Sequence, residues 1–195
     1  MAGARRAVTR MFVAAYPSQA AREHLEAFLE ARRDVGAFRW AVPEQWHLTF
    51  AFFADVPDRS LDALVDGLER ATAKRSAIEL AIACGGAVPH VGRAKVLWTG
   101  LAAVDGGAEL ERLAKGCRTA GARAGAPAPG KRFHPHLTLA RINPPIEATK
   151  WVRLLDAYRG PQWRLDEVAL VASYLGEGPR KRPRHEVVER FELKP

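Results

Sequence analysis

The sequence predicts an α+β protein whose two halves repeat one plan. Strand-sized apolar runs such as "MFVAAY" and "VALVASYL" alternate with segments of helical period, and no linker long enough to part independent domains interrupts them. A tripeptide, His-Leu-Thr, occurs twice, beginning at His47 and at His136, close to half a chain apart. Each copy lies in a strand that follows a loop and precedes a helix, as two similar lobes about an approximate two-fold axis would require. At 195 residues with 48% hydrophobic content, residues 1–195 are expected to form one two-lobed domain.

The elements follow in order. "TRMFVAAY" reads as a strand closed by Pro17, which opens a helix through "SQAAREHLEAFLEARRD". The strands "AFRWAV" and "WHLTFAFF" come next, separated by the turn-like "PEQ". A helix from Asp58 to about Ser76 shows an apolar stripe of Leu61, Leu64, Val65 and Leu68. "AIELAIACGG" and "AKVLWTGL" are strands. "AELERLAKGCRTAGARAG" is a third helix, and the loop "APAPGK" leads from it into "KRFHPHLTLAR". "NPPIEATKWVRLLDAY" reads as a helix entered through prolines. "QWRLDEVALVASYL", a Gly-Pro-Arg turn and the strand "HEVVERFEL" complete the chain.

Composition narrows the partners. The 30 Lys and Arg against 22 Asp and Glu give a net charge of +8, which favours a polyanion such as RNA. No apolar run approaches the roughly 18 residues of a membrane span, and the short run after Arg5 and Arg6 is too interrupted for a secretory signal. The expected place is therefore the cytoplasm, with no membrane partner. Cys84 and Cys117 have neither metal-knuckle spacing nor disulfide density, and are expected to be reduced. Nothing favours an oligomer, so a monomer is expected.

Strand alternation decides what the repeated motif presents. His47 and Thr49 point one way, with Leu48, Phe50 and Phe52 the other way. His134, His136 and Thr138 share one face and Leu137 and Leu139 the opposite one. Two polar fronts over apolar backs would line a cleft, because an unpaired buried imidazole or hydroxyl costs about 1–3 kcal/mol. One such tripeptide is explained by half-exposed strand histidines bonded to neighbours. Two copies in matching contexts favour a site. Arg141 ends the second strand on the opposite parity from His136 if the strand stays regular, so it either reaches the site from the strand end or serves structure. His24 and His90 have no constellation around them.

The paired "HLTF" and "HLTL" resemble the His-x-Thr/Ser-x signatures of the two-histidine phosphoesterases. Their surroundings are similar to the RNA 2′,3′-cyclic phosphodiesterase branch, also called LigT-like: "RMFVAAYP", "FRWAVPEQWHLTFAFFADV", "KVLWTGL", "HPHLTLAR" and "LVASYLGEGPR". The resemblance spans nearly the whole chain. His185 departs from it, since many relatives carry an aromatic residue there. The resemblance implies a LigT-like fold of two β-sheets flanked by helices, with the signature strands facing each other across a central cleft. It also implies hydrolysis of a 2′,3′-cyclic phosphate end to a 2′-phosphate, and allows the reverse joining of RNA ends through a 2′-5′ linkage.

Two imidazoles suit such chemistry, because a reference pKa near 6.5 lets one act as base while the other carries a proton. By the resemblance His136 takes the proton of the attacking water and His47 protonates the leaving 3′ oxygen, although the near-symmetry of the sites leaves the reverse open. Thr49 and Thr138 then donate to the non-bridging phosphate oxygens, so no metal or other cofactor is required. Arg141 and His134 are further candidates for the substrate phosphate. Phe12 and Trp46 are candidates to flank a base, with a core position the competing reading, and Tyr174 and Arg180 are candidates for the rim. The expected substrate is RNA with a 2′,3′-cyclic phosphate end, such as a tRNA fragment, or a cyclic nucleotide. Two alternatives stand beside this. One is a non-catalytic RNA-binding module that uses the basic surface alone. The other is a zinc-dependent hydrolase with His134, His136 and His47 as ligands, against which no carboxylate or cysteine stands beside the motif.

Overall fold

The computed structural model describes residues 8–35, 38–104, 107–130 and 132–195. In chain order its elements are β1 (Val8–Ala15), α1 (Gln19–Glu30), β2 (Arg39–Trp40), β3 (Leu48–Pro57), α2 (Leu61–Thr72), β4 (Ile78–Val88) and β5 (Ala94–Ala103). There follow α3 (Ala108–Arg123), β6 (His136–Ile146), α4 (Thr149–Asp156), β7 (Arg159–Leu165), β8 (Glu167–Tyr174) and β9 (Arg184–Glu192). The strands run β7-β4-β5-β6-β3-β1-β8-β9, with β2 also against β6, and every pairing of these strands is antiparallel.

The α+β class and the two lobes expected from the sequence are present, but the two expected sheets are joined into one nine-stranded sheet. One lobe is β3-β1-β8-β9 and the other β7-β4-β5-β6 with β2; between them runs a single pair, Leu48 opposite Leu137. The repeat is β1-α1-β3-α2 followed by β5-α3-β6-α4. In each copy the helix after the first strand crosses to the other lobe: α1 packs on β7, while α3 packs on β3. The second helix stays behind its own lobe, α2 near β9 and α4 on β4. Each lobe thus borrows a helix from the other half of the chain, which ties the two together.

Local signals set the helices. Ser18 caps α1 by accepting from the Ala21 amide at 3.2 Å, and Ala21, Leu25 and Leu29 form its buried stripe at four-residue spacing. In α2 the stripe is Leu64, Leu68 and Thr72. Gly121 of α3 is required by closeness, since a Cβ there would lie 2.2 Å from the Phe53 ring. Cys117 is buried in α3, where desolvation pushes its thiol up to about 12; Cys84 is exposed at an irregularity in β4.

Two expectations change. The segment "NPPI" extends strand β6 to Ile146, paired with Ala94, and helix α4 begins only at Thr149. Prolines lack the amide a helix interior needs, which the start signal alone did not weigh. "QWRLDEVALVASYL" divides at Asp166: β7 pairs with β4 in one lobe and β8 with β1 in the other. A continuous apolar run can cross between sheets, and its length carries no mark of the crossing.

Candidate active site

The two signature strands each contain a β-bulge at the same place. On β3, Ala51 pairs with Val13 and Thr49 with Ala14, leaving Phe50 as an extra residue. On β6, Ala140 pairs with Leu97 and Thr138 with Trp98, leaving Leu139 extra. An inserted residue reverses the alternation beyond it and re-aims the following side chains. Phe52 therefore joins Phe12, its direct partner, on the cleft face rather than packing behind with Leu48 and Phe50. Arg141 pairs with Val96, two residues from Trp98, and so shares the face of Trp98, Thr138 and His136. The parity that set Arg141 apart in a regular strand does not hold.

Both catalytic candidates are fixed in the same way. His47 Nδ1 donates to the Gln45 carbonyl at 2.7 Å, and His136 Nδ1 donates to the His134 carbonyl at 2.7 Å. A carbonyl only accepts, so each neutral ring carries its proton on Nδ1 and its lone pair on Nε2. The backbone two residues upstream thus prepares both imidazoles to exchange a proton at the same atom.

Their surroundings differ. His47 is half-buried and stacks on Phe12 with centroids 4.8 Å apart and an interplanar angle of 26°; Tyr16 lies at 6.2 Å. His185 stands edge-on to His47 at 5.6 Å and edge-on to Phe12 at 5.0 Å. Burial lowers His47 to about 4; His185 and His136 add to the shift, and the Gln45 carbonyl opposes it. His136 instead faces Trp98 at 5.9 Å and lies parallel to His134 at 5.8 Å. Trp98 holds His134 edge-on at 4.6 Å, and burial is the first cause that lowers His134, followed by His136 and Arg132. Gly86 lies opposite Trp98, and a Cβ there would meet the indole at 2.0 Å, so glycine lets the indole lie flat across the strand.

The structure brings together His47, Thr49, His136, Thr138, His134, Arg141 and Phe12 on the cleft faces. Trp46 is core, 1% exposed, because it neighbours His47 and points to the other side. Tyr174 pairs with Arg184 and is capped by its guanidinium at 4.2 Å; alternation puts it opposite in face to Ser173 and His185. Neither Trp46 nor Tyr174 flanks the imidazoles. Arg180 has its backbone in the turn Pro179–Lys181, and its side chain lies outside the described residues. Trp98 is an addition, and His185, noted in the sequence only as a departure from the family pattern, stands against His47 and Phe12. Trp98 stood in the quoted "KVLWTGL" with no role, and His185 reaches the site only through the order β3-β1-β8-β9, which no local motif announces. Among the described residues no three His, Cys, Asp or Glu side chains gather as a metal-holding group, so His134, His136 and His47 do not form the zinc set of the alternative reading.

Comparison with known proteins agrees with this geometry. Residues 16–177 match the 2′-5′ RNA ligase superfamily. A relative from Aquifex aeolicus named RNA 2′,3′-cyclic phosphodiesterase is 29% identical over 188 residues, 95% of this chain and 98% of its own. One of the same name from Thermus thermophilus is 30% identical over 194 residues, 95% of this chain and 90% of its own. Among solved structures, TT0787 of Thermus thermophilus superposes with a TM-score of 0.72 at 28% identity, covering 95% of this chain and 98% of that one. E. coli LigT complexed with 3′-AMP shares the fold with a TM-score of 0.76 at 24% identity, covering 97% and 100%. With two His-x-Thr strands facing one cleft and a match over most of its length, the chain belongs to the 2′-5′ RNA ligase superfamily, the two-histidine phosphoesterases.

Proposed function

We propose that the chain is an RNA 2′,3′-cyclic phosphodiesterase that opens the cyclic phosphate to a 2′-phosphate by acid–base catalysis. The observation that carries this is the matched pair of imidazoles, each with Nδ1 committed to a backbone carbonyl and Nε2 left for proton exchange, each followed by a threonine on the same face. His136 takes a proton from water as the water oxygen bonds to phosphorus. The bond from phosphorus to the 3′ oxygen breaks, and His47 protonates that oxygen. Thr49 and Thr138 donate to the non-bridging oxygens, where charge builds. Arg141 and His134 add positive potential and a polar wall on the second lobe.

The electrostatics add a condition to the acid. Burial holds His47 neutral before substrate binds. The phosphodiester anion between the imidazoles supplies the opposite charge that lets His47 hold a proton. The acid is thus loaded by its own substrate. With a 5′ hydroxyl as nucleophile in place of water, the same forward step, base on the hydroxyl and acid on the leaving 3′ oxygen, joins RNA ends through a 2′-5′ linkage.

The two lobes act as one domain in this reading, since each contributes one imidazole and each lends the other a helix. The cytoplasm is the proposed place of work; among the described residues no helix is long and apolar enough to cross a membrane. The test is hydrolysis of a short RNA ending in a 2′,3′-cyclic phosphate with EDTA present, the product assigned by phosphorus NMR. A 2′-phosphate is expected. Activity that appears only with added zinc would refute the acid–base reading, and RNA binding with no turnover would favour a binding module.

A further inference from the structure

Beside the catalytic row, between β2 and β6 of the second lobe and the β8–β9 connection of the first, lies a cavity of about 300 Å³ whose lining carries four cations, Arg39, Arg141, Lys181 and Arg182, and no carboxylate. Thr138 belongs to the same lining, so the cavity opens directly onto the catalytic face.

The cations are placed there against their own repulsion. Arg39 on β2 is the direct cross-strand partner of Arg141 on β6. Partners across a ladder share a face with their Cβ atoms about 4.5–5.5 Å apart, and like charges in that position destabilise the pair. The bulge at Leu139 is what turns Arg141 to this face. Arg39, Arg141, Lys181 and Arg182 are absent from the ion pairs found among the described residues. Arg182 is held in place by donating to the Trp40 carbonyl at 3.1 Å. Lys181 adopts a left-handed backbone, φ 57°, which is uncommon for a residue with a side chain. A concave site of uncompensated guanidinium groups focuses its field on an anion, and arginine forks match phosphate oxygens two at a time.

We propose that this cavity is a second phosphate subsite, which holds the phosphodiester on the 5′ side of the terminal nucleoside while the cyclic phosphate sits between His47 and His136. The protein is then built for the ends of RNA chains and discriminates against cyclic mononucleotides, which carry no second phosphate. This rests on the reading of the cleft as a cyclic phosphodiesterase. Along β6, Arg141 lies three residues beyond Thr138, a rise of about 10 Å in an extended strand and less across a bulge. A chain anchored by its reacting phosphate at Thr138 therefore runs its next phosphate toward the Arg39–Arg141 pair.

The test compares kcat/KM for a dinucleotide ending in a 2′,3′-cyclic phosphate with that for cytidine 2′,3′-cyclic phosphate, in the wild type, Arg39→Gln and Lys181→Gln. Both replaced residues are exposed, and circular dichroism checks that each variant folds. In parallel, fluorescence anisotropy follows binding of a labelled short RNA across salt concentrations. The wild type is expected to prefer the dinucleotide, and Arg39→Gln to cut the ratio of the two kcat/KM values at least about tenfold. The log–log salt slope for RNA should become shallower by about 0.7, the loss of one phosphate contact on a single strand. A ratio in both variants equal to that of the wild type overturns the subsite. If the wild type turns over neither substrate, the phosphodiesterase reading has failed on its own, and an unchanged salt slope would then overturn the subsite separately.

Discussion

Leu48 lies directly opposite Leu137, and this one pair joins β3 to β6 and the two halves of the proposed active site to each other. Carried one step either way, the antiparallel register sets His47 across from Thr138 and Thr49 across from His136. The imidazoles become diagonal neighbours, about 7–8 Å apart in a regular ladder, each beside the hydroxyl of the other motif. Beyond this pair the strands make no further bridge, so the fronts can part around a phosphate while the leucines close the floor. Both leucines are buried, at 1% and 0% exposure. Leu137→Ala is expected to cost about 2–5 kcal/mol in urea denaturation by leaving a cavity at the seam. A loss under 1 kcal/mol, on the order of a surface change, would show that the seam is not packed.

Replacing either imidazole should remove chemistry and spare binding. His47→Ala and His136→Ala are each expected to lower single-turnover hydrolysis by about 10²–10⁴-fold, the range for one general acid or base. The double variant should lose little more than the worse single one, since the two act as a unit. RNA affinity, carried mostly by exposed cations, should change far less. Turnover of His136→Ala close to that of the wild type would remove it from the mechanism.

The threonines separate transition-state contacts from ground-state contacts. Thr138→Val keeps the shape and removes the donor, and kcat is expected to fall by about 10²–10³-fold with KM little changed, as for the loss of one oxyanion donor. Thr49→Val should do the same from the other lobe. A rise in KM at constant kcat would instead assign these hydroxyls to holding the substrate before reaction.

What could be read ahead of the structure was whatever depends on near neighbours. The histidines and threonines of both motifs, the helices and the two-lobed plan follow from period and spacing. Arg141 and Phe52 show where this stops. Both stand beyond a bulge, and a bulge is recorded in the pairing of Thr49 with Ala14 and of Thr138 with Trp98, partners that strand alternation within one segment does not contain. His185 shows the second limit, because it comes to His47 across β8 and β1 from a strand late in the chain. Trp46 was ambiguous for a simpler reason: a residue adjacent to a catalytic strand position points away from the site by default, whatever its chemistry.

The depressed pKa of His47 ties activity and stability to pH through one group. In the proposed mechanism the two imidazoles share one proton, so activity falls at low pH, where His47 of the free enzyme takes up a proton beyond that one. In kcat/KM, which reports the free enzyme, that acid limb is expected near pH 4; in kcat it should lie higher, because the bound anion stabilises the imidazolium. The same shift acts on folding. The unfolded chain binds the proton near pH 6.5 and the folded one only near about 4, so the contribution of His47 to stability is complete above pH 6.5 and is lost as pH falls toward 4. At about 1.36 kcal/mol per pKa unit the loss is on the order of 3 kcal/mol. Urea midpoints of the wild type and His47→Gln at pH 7 and pH 4 check this. The variant is expected to lose distinctly less stability between the two, and equal losses would mean that burial does not hold His47 neutral.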